Sequence, residues 1–148
     1  MSPTLIVYNS IPAPLRLRYK NSLNKIFLAI LSDHRVKAEK ISFIFCDDKY
    51  LSELNAKYLK NNDLTDAISF NLGEASIVMG EIYISLERIM ENARKYNVKF
   101  LHELGRVMIH GVLHLSGYED KKPSLRKKMT FMEDYYLDKW NKINKRST

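Results

Sequence analysis

The stretch Met108-Ile-His-Gly-Val-Leu-His-Leu-Ser-Gly-Tyr-Glu-Asp120 is the most informative part of this chain. Its two histidines, His110 and His114, are four residues apart, so both rings lie on one face if the stretch is helical. Gly117 can take the left-handed conformation that ends a helix, and two acidic residues follow it. Two imidazoles and one carboxylate make a three-ligand site with an open position, which is typical of catalytic zinc.

The segment that contains these histidines, from Lys99 to Ser116, is predicted to be a buried helix because apolar residues cover most of its surface. Its polar residues recur at steps of three and four and form one narrow stripe: His102, Glu103, Arg106, His110 and His114. A polar stripe on a buried helix must be paired or must face a cleft. We therefore expect this stripe to mark the functional site.

A metalloprotease-like hydrolase is one alternative prediction. The pattern His-x3-His-x2-Gly-x2-Asp resembles the zinc motif of metzincin proteases, with aspartate as the last ligand. However, Gly111 occupies the position at which HExxH proteases carry the glutamate that acts as general base. The chain therefore lacks the usual proton acceptor of that mechanism.

The composition indicates a globular protein with an anionic partner. The chain has 148 residues, which fits one domain, and 45% of them are hydrophobic, which is enough for a core. Its single cysteine, Cys46, excludes an internal disulfide and fits a reducing compartment. The net charge of +7 suits a polyanion partner such as RNA or DNA. We find no signal peptide and no membrane-spanning run, so a cytoplasmic location is expected.

The order of the predicted elements favours a two-layer α+β domain. β-branched and aromatic runs predict four strands, at Leu5–Tyr8, Lys40–Cys46, Asp66–Phe70 and Gly80–Ser85, with the last two forming a hairpin. Helical spacing of apolar residues predicts one helix after each of the first two strands and three helices after the last strand. Ser85 is a predicted helix N-cap, Asn97 a predicted helix end, and Pro123 the start of the last helix.

Three segments are similar to motifs of the YbeY family of bacterial endoribonucleases, which is linked to ribosomal RNA maturation and ribosome quality control. They are His110-Gly-Val-Leu-His-Leu-Ser-Gly-Tyr118, Leu54-Asn55 with Thr65-Asp66-Ala-Ile-Ser-Phe70, and Gly80-Glu-Ile-Tyr-Ile-Ser85, which resemble HGxLHLxGY, LN…TDVLSF and GDIxIS. The resemblance implies a single domain over residues 1–148, with a mixed sheet of about four strands packed with about five helices. It also implies a metal-dependent endoribonuclease whose partners are single-stranded or ribosomal RNA and the small ribosomal subunit or its associated proteins.

The resemblance also implies the residues of the site. Asp120 stands where the family has its third metal ligand, a histidine, so one divalent metal, with zinc the expected ion, is held by His110, His114 and Asp120. His114 and Glu119 are the predicted catalytic residues, with Glu119 a candidate base beside metal hydroxide. A smaller departure is Asn71, where the family favours proline.

A further departure concerns the RNA. Leu59 occupies the position at which the family typically has an arginine that helps to engage the RNA backbone, and leucine cannot hold a phosphate. The nearby Lys57 and Lys60, and Lys121 and Lys122 after the histidine stretch, are therefore the possible RNA contacts. Leu59 also favours the second alternative, a non-catalytic ribosome-associated factor that the metal stabilises.

Overall fold

The computed structural model describes residues 3–59, 65–74 and 76–146. Within these ranges the chain forms four strands and five α-helices, in the order β1 (Leu5–Asn9), α1 (Leu17–Asp33), β2 (Lys37–Cys46), α2 (Asp48–Leu54), β3 (Ala67–Asn71), β4 (Ile77–Ser85), α3 (Leu86–Lys95), α4 (Phe100–Leu115) and α5 (Pro123–Arg146). A short π-helical segment, Asn55–Leu59, follows α2 directly. The predicted loop at residues 60–64 lies outside the described residues.

The four strands form one mixed sheet in the order β1-β2-β4-β3. Strand β2 lies near the centre and runs parallel to both β1 and β4. Strand β3 pairs with β4 in the antiparallel direction, which confirms the predicted hairpin. Strand β3 is therefore an edge strand, and one of its sides is free to border a cleft.

Helices α1 and α4 cover one face of the sheet, and α5 packs on both of these helices. The side chains buried between α1, α4 and the sheet include Ile26, Phe27, Ile41, Phe43, Ile82, Ile84, Leu104 and Met108. The ring of Phe27 lies 4.9 Å from that of Phe43, between centroids. Helix α2 contacts the opposite face, where the rings of Tyr50 and Tyr83 are 6.2 Å apart. The predicted α+β class is confirmed.

Local sequence signals predicted the ends of several elements. The hydroxyl of Ser85 accepts a hydrogen bond from the backbone N–H of Arg88 at 3.3 Å, which confirms Ser85 as the N-cap of α3. Asn97, two residues after the end of α3, has a φ of 53°, in the left-handed region that asparagine tolerates. No helix in the described ranges is both long enough and apolar enough to cross a membrane.

Asn71 has a structural role in the hairpin between β3 and β4. Its side-chain oxygen accepts hydrogen bonds from the backbone N–H groups of Gly73 at 3.0 Å and Met79 at 3.2 Å. A proline has no side-chain acceptor and could not make these bonds. The asparagine therefore stabilises the start of the turn through the two hydrogen bonds that its side chain accepts.

Candidate metal centre

The last two turns of α4 present both histidines on one face. The ring centroids of His110 and His114 lie 4.4 Å apart, as expected for residues separated by one turn of helix. Their side chains are 19% and 29% exposed, although most of α4 around them is fully buried. The pair therefore forms a partly accessible polar site within an otherwise apolar helix.

A left-handed turn ends α4 and reverses the chain. Gly117 has a φ of 106°, a conformation that residues with a Cβ atom rarely adopt. Its N–H donates to the carbonyl of His114 at 3.1 Å, and the N–H of Tyr118 donates to the carbonyl of Leu113 at 3.0 Å. These two bonds are those of a Schellman motif, which sends the following residues back across the histidine face.

The turn brings Asp120 to the two histidines. Its Oδ2 atom lies 3.3 Å from Nε2 of His110 and 3.4 Å from Nε2 of His114. Among the described residues, these three form a group whose ligand atoms all lie within 4.8 Å of one another. A tetrahedral zinc ion with bonds of about 2.0–2.1 Å separates its ligand atoms by about 3.3–3.4 Å. The observed spacing therefore suits a single ion of this size.

The hydrogen bonding of His114 also fits a metal. Its Nδ1 donates to the carbonyl oxygen of Tyr118 at 2.9 Å, and this bond leaves a lone pair on Nε2 of the neutral ring. Burial and the neighbouring His110 lower the pKa of His114, which favours the neutral form. The lone pair then faces a carboxylate oxygen of Asp120, so a cation between the two atoms would remove their repulsion.

A buried carboxylate on α5, Glu133, supports the other imidazole. Its Oε2 atom accepts a hydrogen bond from Nδ1 of His110, and its side chain is 5% exposed. Burial alone would lower the pKa of His110, but the hydrogen bond and charge of Glu133, with two further carboxylates, raise it. The sequence reasoning missed Glu133. The sequence feature that could have identified it is an acidic residue on the apolar face of α5, four residues after Met129 and three before Tyr136.

Arg106, four residues before His110, links the acidic groups of this region. Its guanidinium donates to Glu103 from Nε at 3.0 Å and from Nη2 at 2.6 Å, and to Oε1 of Glu133 from Nη1 at 3.1 Å. Although burial acts to lower the pKa of Arg106, these two carboxylates raise it. Asp66, whose pKa is raised by burial, lies 3.7 Å from the same guanidinium. Four of the five residues of the polar stripe of α4 are therefore paired, as predicted: Glu103, Arg106, His110 and His114.

Gly111 faces the sheet and not the metal centre. A Cβ atom at this position would lie 2.8 Å from Cγ2 of Ile82 on β4. A glutamate here would therefore point into the packed interface between α4 and the sheet. This packing argues against the metalloprotease alternative, because its general base would have no route to the cleft.

A cleft of about 450 Å³ opens beside the metal group, between β3 and the loop that follows α4. Ser69 and Asn71 line one wall, and His114, Glu119 and Asp120 line the other. Glu119 is exposed and is not part of the three-residue metal group. The volume lies in the range of ligand-binding clefts, so the metal group has room for a substrate beside it.

The predicted RNA contacts lie in different places. Lys121 lines the cleft, and the exposed Lys122 follows it. Lys57 is in the π-helical segment, with its ammonium 5.1 Å from the centroid of a neighbouring tyrosine ring, and the residues found to line the cleft do not include it. Lys60 and the side chain of Leu59 lie outside the part of the chain that the structure describes.

Arg126 near the start of α5 holds the loop that carries Asp120. Its Nη1 donates to the backbone carbonyl of Lys121 at 3.2 Å and, over a longer 3.4 Å, to that of Asp120. Because these bonds connect α5 to the loop, Arg126 helps to keep the carboxylate near the histidines.

Comparisons with known proteins agree with the motifs. The model of a family described as Endoribonuclease YbeY matches residues 10–141. The endoribonuclease YbeY of Flavobacterium psychrophilum is 47% identical over 115 residues, which cover 78% of this chain and 81% of that protein. The one from Chlorobaculum parvum is 39% identical over 125 residues, which cover 81% of this chain and 89% of that protein. A solution structure of a Thermotoga maritima protein matches with a TM-score of 0.64 and 29% identity, covering 93% of this chain and 89% of that one.

Proposed function

The chain belongs to the endoribonuclease YbeY family, and from this premise we propose that His110, His114 and Asp120 hold one zinc ion at which single-stranded ribosomal RNA is cleaved. Membership makes the chain a metal-dependent endoribonuclease of ribosomal RNA maturation. The observation that carries the proposed site is the convergence of three ligand atoms, with Asp120 Oδ2 at 3.3 and 3.4 Å from the two imidazole Nε2 atoms.

The choice of zinc rests on the chemistry of the donors. Imidazole nitrogen is a good ligand for zinc, and two imidazoles with one carboxylate leave the fourth position of a tetrahedron open. In both histidines Nδ1 is engaged by a protein acceptor, so Nε2 is the atom left for the metal. The carboxylate of Asp120 adds a negative charge that a third histidine would not. We therefore expect the bound ion to be a weaker Lewis acid than in a site of three histidines.

When bound, a divalent ion supplies a Lewis acid for a phosphoryl oxygen of the RNA and lowers the pKa of an attacking hydroxyl group. His114 lines the cleft, so the centre that it helps to form is open to the substrate. Glu119, an exposed carboxylate in the same wall, is the proposed acceptor of the proton from that hydroxyl, which belongs either to water or to the RNA 2′ position.

The proposed path of the RNA runs along the cleft. Lys121 and Lys122 are placed to hold phosphates near the metal group, and Lys57 and Lys60 are proposed contacts for RNA that extends beyond it. We further propose that the protein associates with the small ribosomal subunit or its proteins, takes part in ribosome quality control and is cytoplasmic. The positive net charge of the chain, +7, supports an RNA partner.

A cleavage assay with a matched variant tests the proposal. Purified protein is incubated with a single-stranded ribosomal RNA fragment, with and without a chelator, and its bound metal is measured. We expect cleavage that the chelator abolishes, and loss of both metal and cleavage in His114→Ala. His102→Ala is the control, because His102 is on α4 but outside the metal group. Unchanged metal content in His114→Ala would rule out this site.

Two additional assays on the same purified protein, ribosome co-sedimentation and casein cleavage, distinguish the alternatives. Bound metal and co-sedimentation with ribosomes, without any RNA turnover, would identify a non-catalytic ribosome-associated factor. Cleavage of casein but not of RNA would identify a protease. That result would contradict the argument from Gly111, which faces the sheet.

A further inference from the structure

We propose that Glu133 is a positioning residue of the metal centre, which holds His110 in the tautomer and orientation that present its Nε2 atom to the metal. The inference rests on the proposed metal site and adds to it a residue from a different helix, α5. Arg106 on α4 completes the arrangement by holding the carboxylate of Glu133 in place.

The position of Glu133 follows from the packing of α5. Met129, Tyr136, Leu137 and Trp140 are buried on the face of α5 that packs in the core, and Glu133 lies among them with 4% of its surface exposed. A buried carboxylate is costly unless it is paired and hydrogen-bonded. Glu133 meets this condition, because each of its two oxygens has a polar partner on α4.

The two oxygens of Glu133 have separate partners. Oε1 accepts from Nη1 of Arg106 at 3.1 Å, and Oε2 accepts from Nδ1 of His110. Because Arg106 is itself held by Glu103, the carboxylate of Glu133 is fixed in direction. A carboxylate that accepts from Nδ1 keeps the proton on that nitrogen when Nε2 binds a metal, and it makes the imidazole a stronger ligand.

The other imidazole ligand has a different support. Nδ1 of His114 donates to a backbone carbonyl, that of Tyr118. A side-chain substitution therefore cannot remove the acceptor of His114, whereas it can remove that of His110. This difference allows the contribution of Glu133 to be measured at one ligand while the other is left unchanged.

The test compares Glu133→Gln with Glu103→Gln. Both variants replace a buried carboxylate bound to Arg106, but only Glu133 touches His110. Zinc affinity is measured by competition with a chromophoric chelator. The free energy of unfolding of the metal-free proteins is measured by urea titration. We expect Glu133→Gln to bind zinc about 10- to 100-fold more weakly, and Glu103→Gln to change the affinity much less. Equal zinc affinity in Glu133→Gln and the wild type would overturn the inference.

One further readout, together with the zinc competition, separates the possible failures. In the zinc-loaded wild type, nitrogen-15 NMR should show a protonated Nδ1 and a coordinated Nε2 in His110. This measurement tests the inference even if Glu133→Gln does not fold, because coordination of zinc through Nδ1 of His110 would overturn it. A wild type that binds no zinc would reject the metal site itself. Tight zinc binding that Glu133→Gln leaves unchanged would reject only the role of Glu133.

Discussion

Tyr118 donates its hydroxyl hydrogen to Nε2 of His34 at 2.8 Å, although the two residues are 84 positions apart. The direction of this bond follows from Nδ1 of His34, which lies 2.8 Å from the carbonyl of Ile30 and must carry the ring proton. The bond ties the end of α1 to the loop that carries Asp120. The backbone carbonyl of the same tyrosine orients His114, so Tyr118 contributes to the candidate metal centre through two different atoms.

Removing this hydroxyl should loosen the centre without removing a ligand. In Tyr118→Phe the ring and the backbone carbonyl remain, and the lost hydrogen bond should cost about 0.5–1.5 kcal/mol of unfolding free energy. We expect a several-fold weaker zinc affinity, because the loop is less well held. Urea unfolding and chelator competition measure the two effects. Tyr96→Phe, at an exposed tyrosine after α3, is the control, and equal losses in both variants would contradict the role of Tyr118.

Asp120 should be the third ligand and its neighbour should not. Asp120→Ala removes the oxygen that lies 3.3–3.4 Å from both Nε2 atoms. We expect zinc affinity to fall on the order of 100-fold or more, since loss of a ligand should exceed the effect of losing a supporting hydrogen bond. Glu119→Ala is the matched control, with the expected loss in RNA cleavage and little change in affinity. The opposite pattern would make Glu119 the ligand.

Gly111 should tolerate no side chain. In Gly111→Ala the new Cβ atom would lie 2.8 Å from Ile82, and such overpacking costs about 1–3 kcal/mol. The better helix propensity of alanine returns at most about 1 kcal/mol. We therefore expect a net loss of unfolding free energy in urea titrations. Thr130→Ala, on the exposed side of α5, should change it by less than about 0.5 kcal/mol. A variant as stable as the wild type would show that Ile82 moves aside easily.

Lys121 and Lys122 should contribute to RNA affinity through phosphates. Replacing both with alanine should weaken binding of single-stranded RNA and reduce its salt dependence. The slope of log K against log salt should fall by about 0.7 for each phosphate that the protein no longer neutralises. Fluorescence anisotropy at several salt concentrations measures this slope. Lys95→Ala, at the exposed end of α3, is the control, and an unchanged slope in the double variant would place the RNA elsewhere.

The thiol of Cys46 should react slowly near neutral pH. Burial, together with the charges of Asp47 and Asp48, raises the pKa of Cys46 to about 11. At pH 8 only about one molecule in a thousand would then carry the reactive thiolate. The alkylation rate of the native protein should rise about tenfold per pH unit between pH 8 and 10. The urea-unfolded protein is the control, whose rate should level off earlier. A native rate that levels off near pH 9 would contradict the raised pKa.

Much of the fold and part of the site could be predicted, because those features depend on residues that are close in the chain. The pair His110 and His114 is separated by one helical turn. The turn at Gly117 ends the helix through bonds from the N–H groups of Gly117 and Tyr118 to carbonyls three and five positions earlier, respectively. The cap at Ser85 and the hairpin before it involve interactions of the same short range. In each case residue type and spacing specify the geometry.

The rest of the site depends on how distant elements pack. Glu133 meets His110 across 23 positions because α5 lies against α4, and His34 meets Tyr118 because α1 ends beside the loop after α4. Spacing along the chain does not identify either pair of partners. An acid on the apolar face of α5 is unusual but does not indicate which residue it meets, and His34 and Tyr118 lie just beyond the ends of α1 and α4. The direction in which a side chain at position 111 would point is likewise set by the packing of α4 on the sheet. Spacing along the chain thus indicated the proposed ligands, while the packing of helices against one another brought in the groups that hold them.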